Sequence, residues 1–123
     1  MLAYDGARPA GWCAVGPREA YKRLEGSRIL ARLDREPVWS IPCLFVHKAY
    51  RGAGLSAELI GAAVRLATSR GARIVEAYPH DLHGKTLPAP FVWTGLLSAY
   101  LKAGFREVAR RSETRPIVRI STS

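Results

Sequence analysis

Between Leu55 and Arg70, the apolar residues Leu55, Leu59, Ile60, Ala63, Val64 and Ala67 recur at steps of three and four. That spacing puts them on one face of a helix, and Gly71 stands where a C-terminal cap belongs. Apolar segments of strand character flank the helix closely, Val38–Val46 before it and Arg73–Tyr78 after only Gly71 and Ala72. Two strands of one sheet joined through a helix run parallel, with a right-handed crossover. An α/β core follows.

The remaining elements are read around that unit. Ala10–Val15 is short, apolar and bounded by Pro and Gly, which suits a buried strand. Pro17 then opens a short helix to Leu24, with Glu19 favourable near its positive end and Gly26 after it. Ser27–Pro37 mixes charge with Ile29, Leu30 and Leu33 and reads as a short turn or a covering loop. Pro42 lies inside the Val38–Val46 strand, where it cannot donate to a ladder, and so implies a bulge or an unpaired edge. Pro79–Pro90 holds three prolines and the polar residues His80, Asp81 and His83, the composition of a functional loop. A second helix is expected from Thr94 to Ala103, capped by Gly104, followed by closing strands Phe105–Ser112 and Arg115–Ser121.

A chain of 123 residues fits one domain spanning 1–123, and 48% hydrophobic with 24% charged residues is the balance of an ordinary globular protein rather than a disordered or fibrous one. Its apolar runs are broken well before the ~20 residues of a membrane helix, and the first residues lack the basic-then-apolar pattern of a signal peptide. A cytoplasmic protein with no membrane partner is expected. Cys13 and Cys43 sit in apolar runs, as buried free thiols do. The net charge of +9 favours a polyanionic ligand, whether nucleic acid or a phosphorylated cofactor, although the basic residues are scattered and form no recognisable nucleic-acid reader.

Gly52 and Gly54 fall at the junction of the Val38–Val46 strand and the Leu55 helix. Glycines there let backbone amides and the helix dipole converge on an anion such as phosphate, although any strand-to-helix turn favours glycine. The wider block Leu44-Phe45-Val46-His47-Lys48-Ala49-Tyr50-Arg51-Gly52-Ala53-Gly54-Leu55-Ser56 resembles the strand-loop-helix block of GNAT acetyltransferases, with its Arg/Gln-x-x-Gly-x-Gly/Ala pattern after a strand ending Val-x-x-x-Tyr. Tyr100-Leu101-Lys102-Ala103-Gly104-Phe105 resembles the Tyr-Glu-Lys-x-Gly-Phe block that ends a later helix of that superfamily. The resemblance runs from about Gly11 to Ile120.

This resemblance implies a mixed, mostly antiparallel sheet with a central splayed parallel strand pair and helices on both faces. It implies that amides of Arg51, Gly52, Ala53, Gly54, Leu55 and Ser56 bind the pyrophosphate of acetyl-CoA, and that Leu44, Phe45 and Val46 pair with its pantetheine arm. A backbone N–H near Val46 would hold the oxyanion. Ser56 stands where Gly or Ala is usual. Family members usually carry a strand and one or two helices ahead of the strand placed at Ala10, and these are expected to be missing, their wall supplied by the Pro17–Leu24 helix or by a second subunit in a homodimer.

Acyl transfer to an amine needs a base for the ammonium and an acid for the departing thiolate. Tyr100 matches the position of a tyrosine near the thioester sulfur in such enzymes, and otherwise packs on the helix stripe with Leu96 and Leu97. Glu76 is a carboxylate within a central strand, either a base facing a cleft or a solvent-facing group. His80, Asp81 and His83 offer further bases or simple loop polarity. Cys43, His47, His80 and His83 make a poor ligand set for zinc, and no metal is expected. The function implied is an N-acetyltransferase acting from acetyl-CoA on a primary amine. The alternative is a CoA-binding module of the same fold without its own transferase activity, and nucleic acid is not expected as a partner.

Overall fold

A computed structural model describes residues 2–5, 8–46, 55–81 and 97–121. The elements are β1 (Leu2–Asp5), β2 (Arg8–Pro17), a 3-10 turn (Arg18–Ala20), α1 (Lys22–Glu25), β3 (Trp39–Val46), α2 (Leu55–Ser69), β4 (Ile74–Ala77), α3 (Leu97–Lys102), β5 (Arg106–Arg110) and β6 (Pro116–Ser121). Among the described residues the six strands form one sheet in the order β1-β2-β3-β4-β6-β5. Only β3 and β4 pair in parallel, joined through α2 as the crossover requires; every other neighbour is antiparallel.

Strand side chains alternate between faces, and that alternation sorts the core into two. Val75 and Ala77 join Leu59, Ile60, Ala63 and Tyr100 under α2 and α3. Tyr78 faces the other way and packs with Leu24 of α1, Leu30 and Ile117. Helices therefore cover both faces, and the 27–36 segment is the covering loop, bringing Leu30 into the second cluster.

Both helix-ending glycines do what their positions imply. After α2, Gly71 has φ +93°, and Ala72 N–H reaches Ala67 C=O at 3.0 Å while Gly71 N–H reaches Thr68 C=O at 3.0 Å. After α3, Gly104 has φ +100°, with Phe105 N–H on Tyr100 C=O at 3.0 Å and Gly104 N–H on Leu101 C=O at 3.1 Å. Each is a Schellman closure, which needs a left-handed residue at the turn.

Two expectations are corrected. A strand does precede Ala10: β1 pairs with β2, and β2 begins at Arg8. The Pro17–Leu24 helix is not continuous, because Pro17 ends β2 and Tyr21, at φ −115° and ψ 88°, separates the 3-10 turn from the single turn of α1. The cause lies in Arg18, whose N–H is tied to Val38 C=O at 3.1 Å and whose side chain is buried against the sheet, so the chain must turn twice to follow it.

Candidate active site

Opposite β2, strand β3 carries one residue too many. Ala14 faces Cys43 and Gly16 faces Ser40, so β3 uses three steps (40 to 43) where β2 uses two (14 to 16). The bulge falls at Ile41–Pro42, where proline has no N–H to give a ladder. It also changes which way β3 points. Ile41 and Leu44 both enter the core under α2, whereas Pro42 and Cys43 both face the opposite side.

The parallel pair ends at the same place. Its register covers Trp39↔Val75, Ser40↔Glu76 and Ile41↔Ala77 and stops, while β3 continues to Val46 against β2. A notch opens between the strands there, with a cleft of about 900 Å³ on the α1 side. Tyr21 and Lys22 border it from α1 and its approach, Pro42 and Cys43 from the bulge, Tyr78 from the end of β4, and Arg115 from the turn before β6. Cys43 is thus half-buried on a cleft wall, and only Cys13 is the fully buried thiol that the sequence suggested for both.

Glu76 sits beneath this cleft, 1% exposed, with both oxygens engaged. Oε1 accepts from Arg18 at 3.1 Å and from the Tyr78 hydroxyl at 2.7 Å, and Oε2 accepts from Arg119 Nε at 2.7 Å. Arg119 continues to Asp34 at 2.8 and 3.0 Å, and Arg18 also donates to Leu24 C=O, Leu30 C=O and the Tyr78 oxygen. The Tyr78 proton is given to Glu76, so the Ser40 hydroxyl, 2.7 Å away, is the donor of that pair. Two carboxylates and two guanidinium groups alternate, a chain in which every buried charge is compensated. Glu76 is therefore a tether that pulls the turn at Arg18 onto β4. Both oxygens of this expected catalytic carboxylate are thus taken up by Arg18, Tyr78 and Arg119.

Tyr100 lies on α3, packed edge-on against Phe105 with ring centroids 5.2 Å apart, in the cluster that holds Ile41 and Ala77 of the notch. Its side chain is fully buried, and its hydroxyl has no hydrogen-bond partner among the described residues. Burial raises the phenol far above its ordinary value, and the nearby thiols of Cys13 and Cys43 push the same way. Tyr21, on the opposite side of the notch, is raised by burial and by the same two thiols. The sequence alone did not single out Tyr21, because its place at the cleft depends on the turn at Arg18.

Of the residues expected to hold a cofactor, Leu44, Phe45 and Val46 form the end of β3, and Leu55 and Ser56 open α2. Arg51, Gly52, Ala53 and Gly54 lie outside the described residues, as do His47 and His83. His80 follows β4; its carbonyl accepts from Leu97 N–H at 2.9 Å, anchoring α3, and its imidazole is lowered below its ordinary value by burial and then by the Arg115 charge. Asp81 is ion-paired to Arg110 at 3.0 Å. Among the described residues no cluster of three or more His, Cys, Asp or Glu could hold a metal ion, and no helix is long and apolar enough to cross a membrane.

A family model described as the acetyltransferase (GNAT) family matches residues 1–84, which include the bulged strand β3, α2 and the parallel partner β4. The chain belongs to the acetyltransferase (GNAT) family. No curated protein matches it. Among solved structures, an aminoglycoside acetyltransferase in complex with coenzyme A is 19% identical with a TM-score of 0.66, covering 98% of this chain and 64% of that one. An acetyltransferase of Bacillus subtilis in complex with CoA is 16% identical with a TM-score of 0.63, covering 99% of this chain and 75% of that one. A ribosomal-protein-alanine N-acetyltransferase of Brucella melitensis is 16% identical with a TM-score of 0.62, covering 98% and 66%. This GNAT chain thus spans between 64% and 75% of the length of these structures, and likeness at such identity concerns the fold alone.

Proposed function

We propose that this GNAT chain transfers an acetyl or similarly small acyl group from acetyl-CoA to a primary amine by direct attack. The observation that carries this reading is the Tyr100 hydroxyl, buried beside the notch with no partner among the described residues. An unpartnered buried hydroxyl costs about 1–3 kcal/mol, so one that persists in the core beside Ile41 and Ala77 invites a functional explanation. Acetyl-CoA supplies the acyl group as an activated thioester. Tyr100 keeps its proton at neutral pH because burial disfavours the phenolate, and so acts as a donor toward a departing thiolate.

The other roles belong to the same reading. Amides of Arg51, Gly52, Ala53 and Gly54, with Leu55 and Ser56 at the positive end of α2, bind the pyrophosphate. Leu44, Phe45 and Val46 offer the end of β3 to the pantetheine arm. His80, favoured in its neutral form by burial and by Arg115, is the base in this reading, receiving the ammonium proton directly or through water. Glu76 contributes by holding Arg18 and, on the cleft wall, Tyr78. A cytoplasmic location, where acyl-CoA is available, goes with this function.

The test is to mix the protein with acetyl-CoA and a panel of small amines and follow CoA by chromatography, since the half-exposed Cys43 would interfere with thiol reagents. Amine-dependent CoA release is expected. Tight CoA binding by calorimetry with no turnover on any amine would leave only a CoA-binding module. Gly54→Val should abolish CoA binding, and an unchanged Kd would remove the glycine turn from the cofactor site.

A further inference from the structure

The arginines with a side chain inside the fold or at its rim are mostly neutralised. Arg18 pairs with Glu76, Arg119 with Glu76 and Asp34, Arg110 with Glu107 and Asp81, and Arg32 with Glu19. Arg115 is different. It is half-buried on the cleft wall and has no carboxylate partner among the described residues. One Nη2 proton is given to Tyr78 C=O at 3.1 Å, and its Nε is buried without a partner.

A guanidinium carries five N–H donors in a planar fork, so most of the hydrogen-bonding capacity of Arg115 is unspent at the edge of the cleft. The Tyr78 carbonyl holds the group in place, which lowers the entropy lost when a ligand is bound. The described charged groups on the cleft wall are Arg115 and Lys22, both cationic. Such a wall repels a polycation. It also lowers the affinity of a bound amine for its proton, favouring the nucleophilic free base.

Resting on the acyltransfer reading, we infer that the acceptor is a small amine bearing a carboxylate, of the amino-acid class, and that Arg115 binds that carboxylate. The planar carboxylate matches the guanidinium fork, and the ion pair fills a donor set that the described residues leave open on this wall. Arg115 is thus a specificity-determining residue, set at the turn between β5 and β6 far in sequence from the cofactor turn.

Two measurements test this. The first uses the wild-type protein and no turnover: calorimetric Kd values for N-acetylglycine, N-acetylleucine, N-acetylphenylalanine and N-acetylglutamate, each against its own carboxamide, with CoA present. At least one acid should bind ten-fold or more tighter than its amide; equal binding across all four pairs overturns the inference. The second is the acid-to-amide ratio of kcat/KM for the corresponding free amines in wild type, Arg115→Gln and Arg115→Lys. The ratio should collapse toward one in Arg115→Gln, through KM, and be partly kept in Arg115→Lys; a ratio unchanged in both overturns it. Acetylation of amines with no preference for the acid sinks this inference while leaving the acyltransferase reading intact. Acid-selective binding without turnover does the reverse.

Discussion

Replacing Tyr100 with Phe removes one oxygen atom from a site where the described residues offer it no partner. The ring keeps its place, because its edge contact with Phe105 at 5.2 Å and its packing in the α2–α3 cluster need no hydroxyl. A buried hydroxyl that loses its hydration without a replacement carries a penalty of about 1–3 kcal/mol, which the substitution relieves. In a domain of this size each kcal/mol is worth roughly 2–8 °C in Tm, so the variant should melt a few degrees higher than wild type. Its activity should move in the opposite direction. Loss of a general acid typically lowers kcat by about 10²–10⁴-fold, while the Kd for CoA should stay within a factor of about two if the hydroxyl acts on the leaving group rather than in binding. Calorimetric melting, CoA titration and single-turnover kinetics on the same preparation read all three quantities. A lower Tm would mean that the hydroxyl is a structural hydrogen-bonding group, and an unchanged kcat would return Tyr100 to the core.

Glu76→Gln leaves the Arg18 and Arg119 guanidinium groups without their shared buried counter-ion, and should destabilise the fold by about 3–5 kcal/mol in urea unfolding. Its residual activity should retain the wild-type pH profile; a lost acidic limb would make Glu76 the base. Because the His80 pKa is lowered in the fold, the unfolded chain takes up a proton first as pH falls. Stability should therefore be unaffected by His80 above its ordinary value of 6.5 and decline as pH drops from there through the lowered folded value. The Asp34 and Glu107 carboxylates, held low by Arg119 and Arg110, add a further loss only in the carboxylate range. Tm measured across this window should show the two phases, with His80→Gln flattening the upper one; identical curves would refute the assignment. In the acyltransfer assay, kcat/KM should rise with pH through a value below 6.5, and a profile independent of His80 would exclude it as base.

Much of the scaffold was legible in local sequence because it follows from what single residues do to a backbone. The periodicity of Leu59, Ile60, Ala63 and Ala67 specifies a helix face, Gly71 and Gly104 permit the left-handed caps, and Pro42 forces the bulge wherever it lies in a strand. The Pro17 helix was misread for the opposite reason. Its local signals were sound, but a buried contact made by Arg18 overrode them.

By itself, then, the sequence determined the crossover, the position of the notch and the family to which they belong, since each depends on short-range backbone geometry and contiguous blocks. Only the tertiary structure decided what the polar side chains do. Glu76 is 58 positions from Arg18 and 43 from Arg119, and Asp34 is 85 from Arg119. Whether a carboxylate is a base or a tether, and whether an arginine is neutralised like Arg18 or left open like Arg115, is fixed by which charges meet after folding. Burial makes each such meeting or its absence consequential, because a charge or hydroxyl removed from water must find its partner in the protein or in a ligand.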